Sequence, residues 1–160
     1  KTGKMSKGGK NIQKGKSYQY SFERMAYAIE KEFYLEAIMI AESIISDRLL
    51  SYLSGKIKGS NYINVELSKR TSFGRLIIIW SLIDSQVEWK EFDNLIIATD
   101  KFRKNRNKCA HSIAKSNPTK PTRTVNEFIC LSKECADSGY IIARYICDWH
   151  KKELRKHLKK

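Results

Sequence analysis

Prolines are scarce: the chain has two in 160 residues, and both fall in one stretch, Ser116 to Arg123. With 41% hydrophobic residues, that scarcity excludes a collagen, a mucin-like stalk and a fully disordered chain. Long apolar runs are missing too. The longest, Leu76-Ile77-Ile78-Ile79-Trp80, is far below the roughly 18 residues a membrane span needs. The Lys-rich start carries no apolar signal core. There is no C-x2-C pair among Cys109, Cys130, Cys135 and Cys147, so these thiols fit a reduced, cytoplasmic setting better than a disulfide scaffold. A zinc site from Cys109, His111 and two later cysteines is the alternative to ordinary thiols, which are favoured. Only three histidines occur. His150 and His157 share one helix face, but their Lys-rich surroundings disfavour a metal and make them solvated tail residues. No internal repeat is visible.

Acidic residues are absent from two stretches. Residues 1–16 hold six lysines and no acid, and residues 101–123 hold eight cations and no acid. The formal net charge of +14 therefore belongs to two tails and one internal segment, and a polyanionic partner is its simplest consequence.

Apolar periodicity places the elements. Residues 1–17 form a Lys/Gly-rich tail expected to be disordered. Residues 18–150 form the folded body, and 151–160 form a basic C-terminal tail that extends into solvent. From Ser21, the apolar residues Phe22, Met25, Ile29, Phe33, Ile40 and Ile44 recur at helical steps. Leu35, Ile38, Ile45, Leu49 and Tyr52 form a second stripe. With no Gly or Pro before Gly55, one long helix is expected, followed by a turn over Gly55 to Asn61. Residues 62–70 are left as a short helix or an extended crossover. Ser72 caps a helix ending near Asp84, and a third begins near Trp89 and runs into the basic segment. Ser116 to Arg123 is a loop. Thr124 and Glu127 form a capping box for a final helix in which Gly139 is a kink or packing notch. The fold class is therefore all-α, a bundle of four or five helices with short connections and flexible basic termini.

The chemistry concentrates in Asp100 to Ser112. His111 is the histidine inside the expected body, and it sits in the densest group of cations. Neighbouring cations disfavour imidazolium and keep the ring available as a base. Metal-free RNA cleavage needs a base for the 2′-hydroxyl proton and a fixed cation for charge developing on phosphorus oxygens. Arg offers a planar fork of donors for that charge. Arg103 and Arg106 both lie in this segment and can supply it. Lys101, Arg103, Lys104, Asn107 and Lys108 are candidate contacts to RNA backbone. Asp100 either tunes the cations or forms an i,i+4 pair with Lys104. Most aromatic residues, among them Phe33, Phe73, Trp80 and Trp89, are assigned to the core. Tyr18 and Tyr20 are the better candidates for stacking on bases.

Arg106-Asn-Lys-Cys-Ala-His111 resembles the Arg-x4–6-His motif of the HEPN superfamily, helical bundles of this size that include metal-independent endoribonucleases acting as toxins or in antiviral defence. The resemblance covers residues 20–150 in outline, and its specific part is those six residues. It implies Arg106 and His111 as the catalytic pair, no metal or cofactor, RNA as substrate and a homodimer that joins two motifs across an interface. An antitoxin or defence-system protein is the further partner it implies. Relatives silenced by a partner nucleotidyltransferase carry Tyr two positions after the His, where this chain has Ile113, which puts that regulation in doubt. On a straight helix, residues five apart point about 140° from each other, so convergence needs Arg's reach, an irregularity or a second subunit. A non-catalytic nucleic-acid-binding bundle is the rival reading, and a helical interaction module with basic tails is the third.

Overall fold

The computed structural model describes residues 7–58, 67, 71–112 and 124–158. Ile113, most of the 59–70 crossover and the Ser116 to Arg123 loop lie outside them. The described residues form five helices in the order α1 (Lys7–Glu30), α2 (Tyr34–Lys58), α3 (Phe73–Ile83), α4 (Leu95–Ser112) and α5 (Val125–Leu158). The all-α expectation holds. Three boundaries differ. Helix α1 starts at Lys7, so residues 7–17 are helical turns rather than part of an unstructured tail. Gly55 is inside α2 rather than in a turn. Residues 89–92 make a tight turn ahead of α4, with paired bonds between Trp89 and Phe92 at 3.0 Å.

The expected single long helix is two helices broken at Glu32. Glu32 adopts φ 63°, its N–H bonds to the Ile29 carbonyl at 3.1 Å, and the Phe33 N–H bonds to the Ala28 carbonyl at 2.7 Å. This is a Schellman termination made without glycine. It turns α2 back along α1, and pairs of Arg24 with Glu36 and of Lys14 with Asp47 mark the antiparallel register.

Helix α2 is the central element. Ala37, Ile38, Ala41, Ile45, Leu49, Tyr52 and Leu53 are buried along it, which includes the second stripe read from the sequence except Leu35; Leu35 is exposed, as is Phe33, which the sequence pattern assigns to the core. Helix α5 lies parallel to α2 and antiparallel to α4. Its Gly139 is the contact point: a Cβ there would lie 2.6 Å from the Phe102 ring and 3.1 Å from the Ala41 Cβ. The packing-notch reading is thus the right one. Helix α3 buries Phe73, Leu76, Ile77, Ile79 and Trp80, and Trp80 meets Trp149 with ring centroids 5.0 Å apart. Ser72 accepts a bond from the Arg75 N–H as its N-cap. The α5 capping box forms as expected, with the Glu127 N–H donating to Thr124 Oγ1 at 3.2 Å and the Thr124 N–H donating to the Glu127 carboxylate at 2.7 Å. Among the described residues no helix is long and apolar enough to cross a membrane.

Candidate functional site

Helix α4 positions the motif by burying its opposite side. Leu95, Ile96, Thr99, Phe102 and Cys109 face the core, which leaves the positions between them to the surface. Asp100 sits beneath two cations: Arg103 Nε donates to Oδ1 at 2.8 Å and Lys104 Nζ lies 2.8 Å from Oδ2. Partial burial pushes its carboxyl up, but these hydrogen bonds outweigh that and hold it below the usual carboxylate range. The i,i+4 pair expected with Lys104 is therefore present.

Arg106 is half-buried and engaged. Its Nε and Nη2 donate to the two carboxylate oxygens of Glu42 on α2, and Nη1 donates to Asn107 Oδ1 at 2.8 Å. Bidentate pairing fixes the guanidinium plane. Arg103, Arg106 and Asn107 share a cavity of about 450 Å³ with Glu42, Ser72 and Gly74. Gly74 lets Arg103 lie across the α3 start, where its Cδ would be 3.4 Å from a Cβ. His111 is outside this cavity, exposed in the last turn of α4. The structure thus brings Arg103, Arg106 and Asn107 together in the cavity without His111, whose five-residue spacing from Arg106 turns the two side chains apart on a regular helix. Lys101, Lys104 and Lys108 are exposed along α4.

Cys109 is buried and its thiol points to the Leu131 carbonyl at 3.8 Å. Cys135 also lies against it, and that contact together with burial pushes the Cys135 thiol up. None of the four cysteines forms a disulfide among the described residues. Among the described residues no group of three His, Cys, Asp or Glu side chains is arranged to hold a metal ion.

Two expectations are overturned. His150 is not a solvated tail residue; it is 2% exposed, and both ring nitrogens are buried without a hydrogen-bond partner among the described residues. Burial, then the Arg48 and Lys14 charges, lower its pKa to about 4. His111 is therefore not the sole histidine of the folded body. Tyr18 is not free to stack on bases: its hydroxyl donates to Asp47, and the Arg48 guanidinium lies 3.8 Å from its ring centroid. Burial and the Asp47 bond raise its pKa. Tyr20 remains 68% exposed. Glu42, which holds Arg106, is not identifiable from the sequence. Its partner is 64 residues away along the chain, so no local spacing identifies it.

The chain matches no protein-family model, no curated protein and no solved structure.

Proposed function

We propose that this protein is a metal-independent endoribonuclease of HEPN type, a toxin or antiviral effector acting on cytoplasmic RNA. The observation that carries the reading is the Arg106-x4-His111 motif in the last turns of a core-packed helix of an all-α bundle, with His111 exposed at the helix end. His111 removes the proton from a 2′-hydroxyl, and the 2′-oxygen attacks phosphorus. The bond to the 5′-oxygen breaks, leaving a 2′,3′-cyclic phosphate and, after protonation, a 5′-hydroxyl. Arg106 stabilises the charge on the phosphorus oxygens. Because the two side chains leave α4 in different directions, a homodimer that sets His111 of one protomer beside the partner's Arg106 is the arrangement that satisfies the chemistry.

The test is cleavage of single-stranded RNA in EDTA by the wild type, His111→Ala and Arg106→Ala. Removal of a base or of a preorganised cation is expected to slow cleavage by about 100-fold or more. Arg106→Ala leaves Glu42 half-buried without its partner, so Arg106→Ala combined with Glu42→Ala accompanies it as the charge-balanced control, with melting followed for each. Equal cutting by all proteins, or none by the wild type, rejects the nuclease reading. One observation favours the second reading, a non-catalytic nucleic-acid-binding bundle: Glu42 already occupies the Arg106 fork. In that case RNA binds with steep salt dependence, nothing is cut, and His111→Ala changes neither.

A further inference from the structure

We propose that the end of the bundle opposite His111 is a separate surface that grips the phosphate backbone of a nucleic acid. The proposal goes beyond the ribonuclease reading and does not require cleavage. It rests on helix directions. Helix α1 is antiparallel to α2, with Lys14 and Tyr18 beside Asp47 and Arg24 beside Glu36. Helix α5 is parallel to α2, with Gly139 against Ala41 and Trp149 against Tyr52. The start of α1 and the ends of α2 and α5 therefore meet at one pole, while the α4 end bearing His111 is at the other, beside Leu131 of α5.

The pole carries more positive charge than its carboxylates offset. Residues 12–17, 47–57 and 147–156 carry eight Lys and Arg against Asp47, Asp148 and Glu153, and Asp84 and Glu88 of the α3–α4 connection reach the same end, where they line a cavity with Lys152, Glu153 and Lys156. Asp47 takes Lys14 at 2.9 Å and Glu153 takes Lys156 at 2.6 Å. Asp148 sits between Lys90 and Lys151 at 3.7 and 3.8 Å. Lys16 and Arg155 are exposed and form no ion pair among the described residues, and Lys152 lies 4.9 Å from the Trp89 ring centroid. Along α4, by contrast, Asp100 holds Arg103 and Lys104, and Glu42 holds Arg106. Three of the eight cations of the acid-free segment are thus held by acids, and the pole is a second place where positive charge is left over.

The chemistry of the pole fits a phosphate backbone. Its cations come mostly as lysines spread over three helices, which suits a repeating charge rather than one chelated anion. A membrane surface would need a contiguous apolar face beside the cations. Here Tyr52 and Trp149 turn inward, with centroids 4.6 Å apart. The exposed large hydrophobics of the three segments are Ile12 and Leu154, on different helices.

The experiment measures binding of a mixed-sequence single-stranded RNA to the full chain over a salt series. It compares wild type with Lys16→Ala/Lys151→Ala/Arg155→Ala and with Lys133→Ala, an exposed lysine of α5 away from the pole. Loss of three phosphate contacts is expected to make the plot of log affinity against log salt shallower by about 2, with at least about tenfold weaker binding at low salt. Lys16→Ala/Lys152→Ala, the second variant, is expected to give about two-thirds of that slope change. Lys133→Ala is expected to bind as wild type does. RNA binding by the triple variant with wild-type affinity and slope overturns the proposal. So does triple-sensitive binding to anionic phospholipid vesicles when RNA binding is insensitive. Failure of the nuclease reading is separate: it shows as absent cleavage with this binding pattern intact.

Discussion

At the scale of single residues, His150 decides more about stability than any surface charge. A histidine whose folded pKa is about 4 is neutral in the native state throughout the range where its unfolded counterpart, near 6.5, takes up a proton. The unfolded state therefore binds more protons between those values. Stability is at its full value above about pH 6.5, declines as pH falls toward 4, and is unaffected by this group below that. The total is at most about 3 kcal/mol. The charges of Arg48, Lys14 and Asp47 act on the ring, and of these Asp47 alone favours imidazolium. Denaturant unfolding at a series of pH values is expected to show this slope in the wild type. His150→Gln, which cannot titrate, is expected to flatten it between pH 6.5 and 4. An unchanged slope in the variant would place the pH dependence elsewhere. The carboxyls of Asp47 and Asp100 have lowered pKa values, and their stabilisation is lost as pH falls through those lower values, so the two windows are distinguishable.

At the scale of elements, what is legible in a sequence depends on whether the cause is local. The N-cap at Ser72 and the box at Thr124 and Glu127 are set by residues three apart, and both formed as read. The stripe of Leu35, Ile38, Ile45, Leu49 and Tyr52 is set by helical period, and all of it but Leu35 in the first turn is buried. The break between α1 and α2 is different. A left-handed terminator is signalled by glycine or asparagine, and here Glu32 takes that conformation because packing of α2 against α1 compensates its strain. The same holds for the site. Arg106 and His111 are legible as a spacing, but Glu42 and the burial of His150 follow from which helices lie side by side. Glu32→Gly relieves the left-handed strain at the cost of some unfolded-state entropy, and it is expected to stabilise the fold by about 1 kcal/mol. For a chain of this length that corresponds to a rise in melting temperature of about 2–4 °C. A drop in melting temperature would show that the Glu32 side chain contributes more than its backbone costs.

At the scale of the whole molecule, α2 sets the distance between the two places where nucleic acid is proposed to act. From Leu35 near the α4 end to Lys56 near the basic pole, the helical rise amounts to about 30 Å. That is close to one turn of duplex, roughly 34 Å. A strand shorter than this engages the pole or the motif but not both, and a longer one engages the two together, so the second contact becomes intramolecular. Affinity is therefore expected to rise in a step, not smoothly, as duplex length passes about ten base pairs. Two substitutions divide the step into its parts. Lys16→Ala/Lys151→Ala/Arg155→Ala is expected to abolish it and to lower the affinity at every length below that of the wild type for a short duplex. Lys101→Ala/Lys108→Ala, at the other end, is expected to remove the step while keeping the short-duplex affinity of the wild type, because the pole alone supplies that contact. Titration of a length series by fluorescence anisotropy reads both effects. A smooth dependence on length in the wild type would mean that one end of the bundle holds the nucleic acid by itself, and the triple variant would identify which.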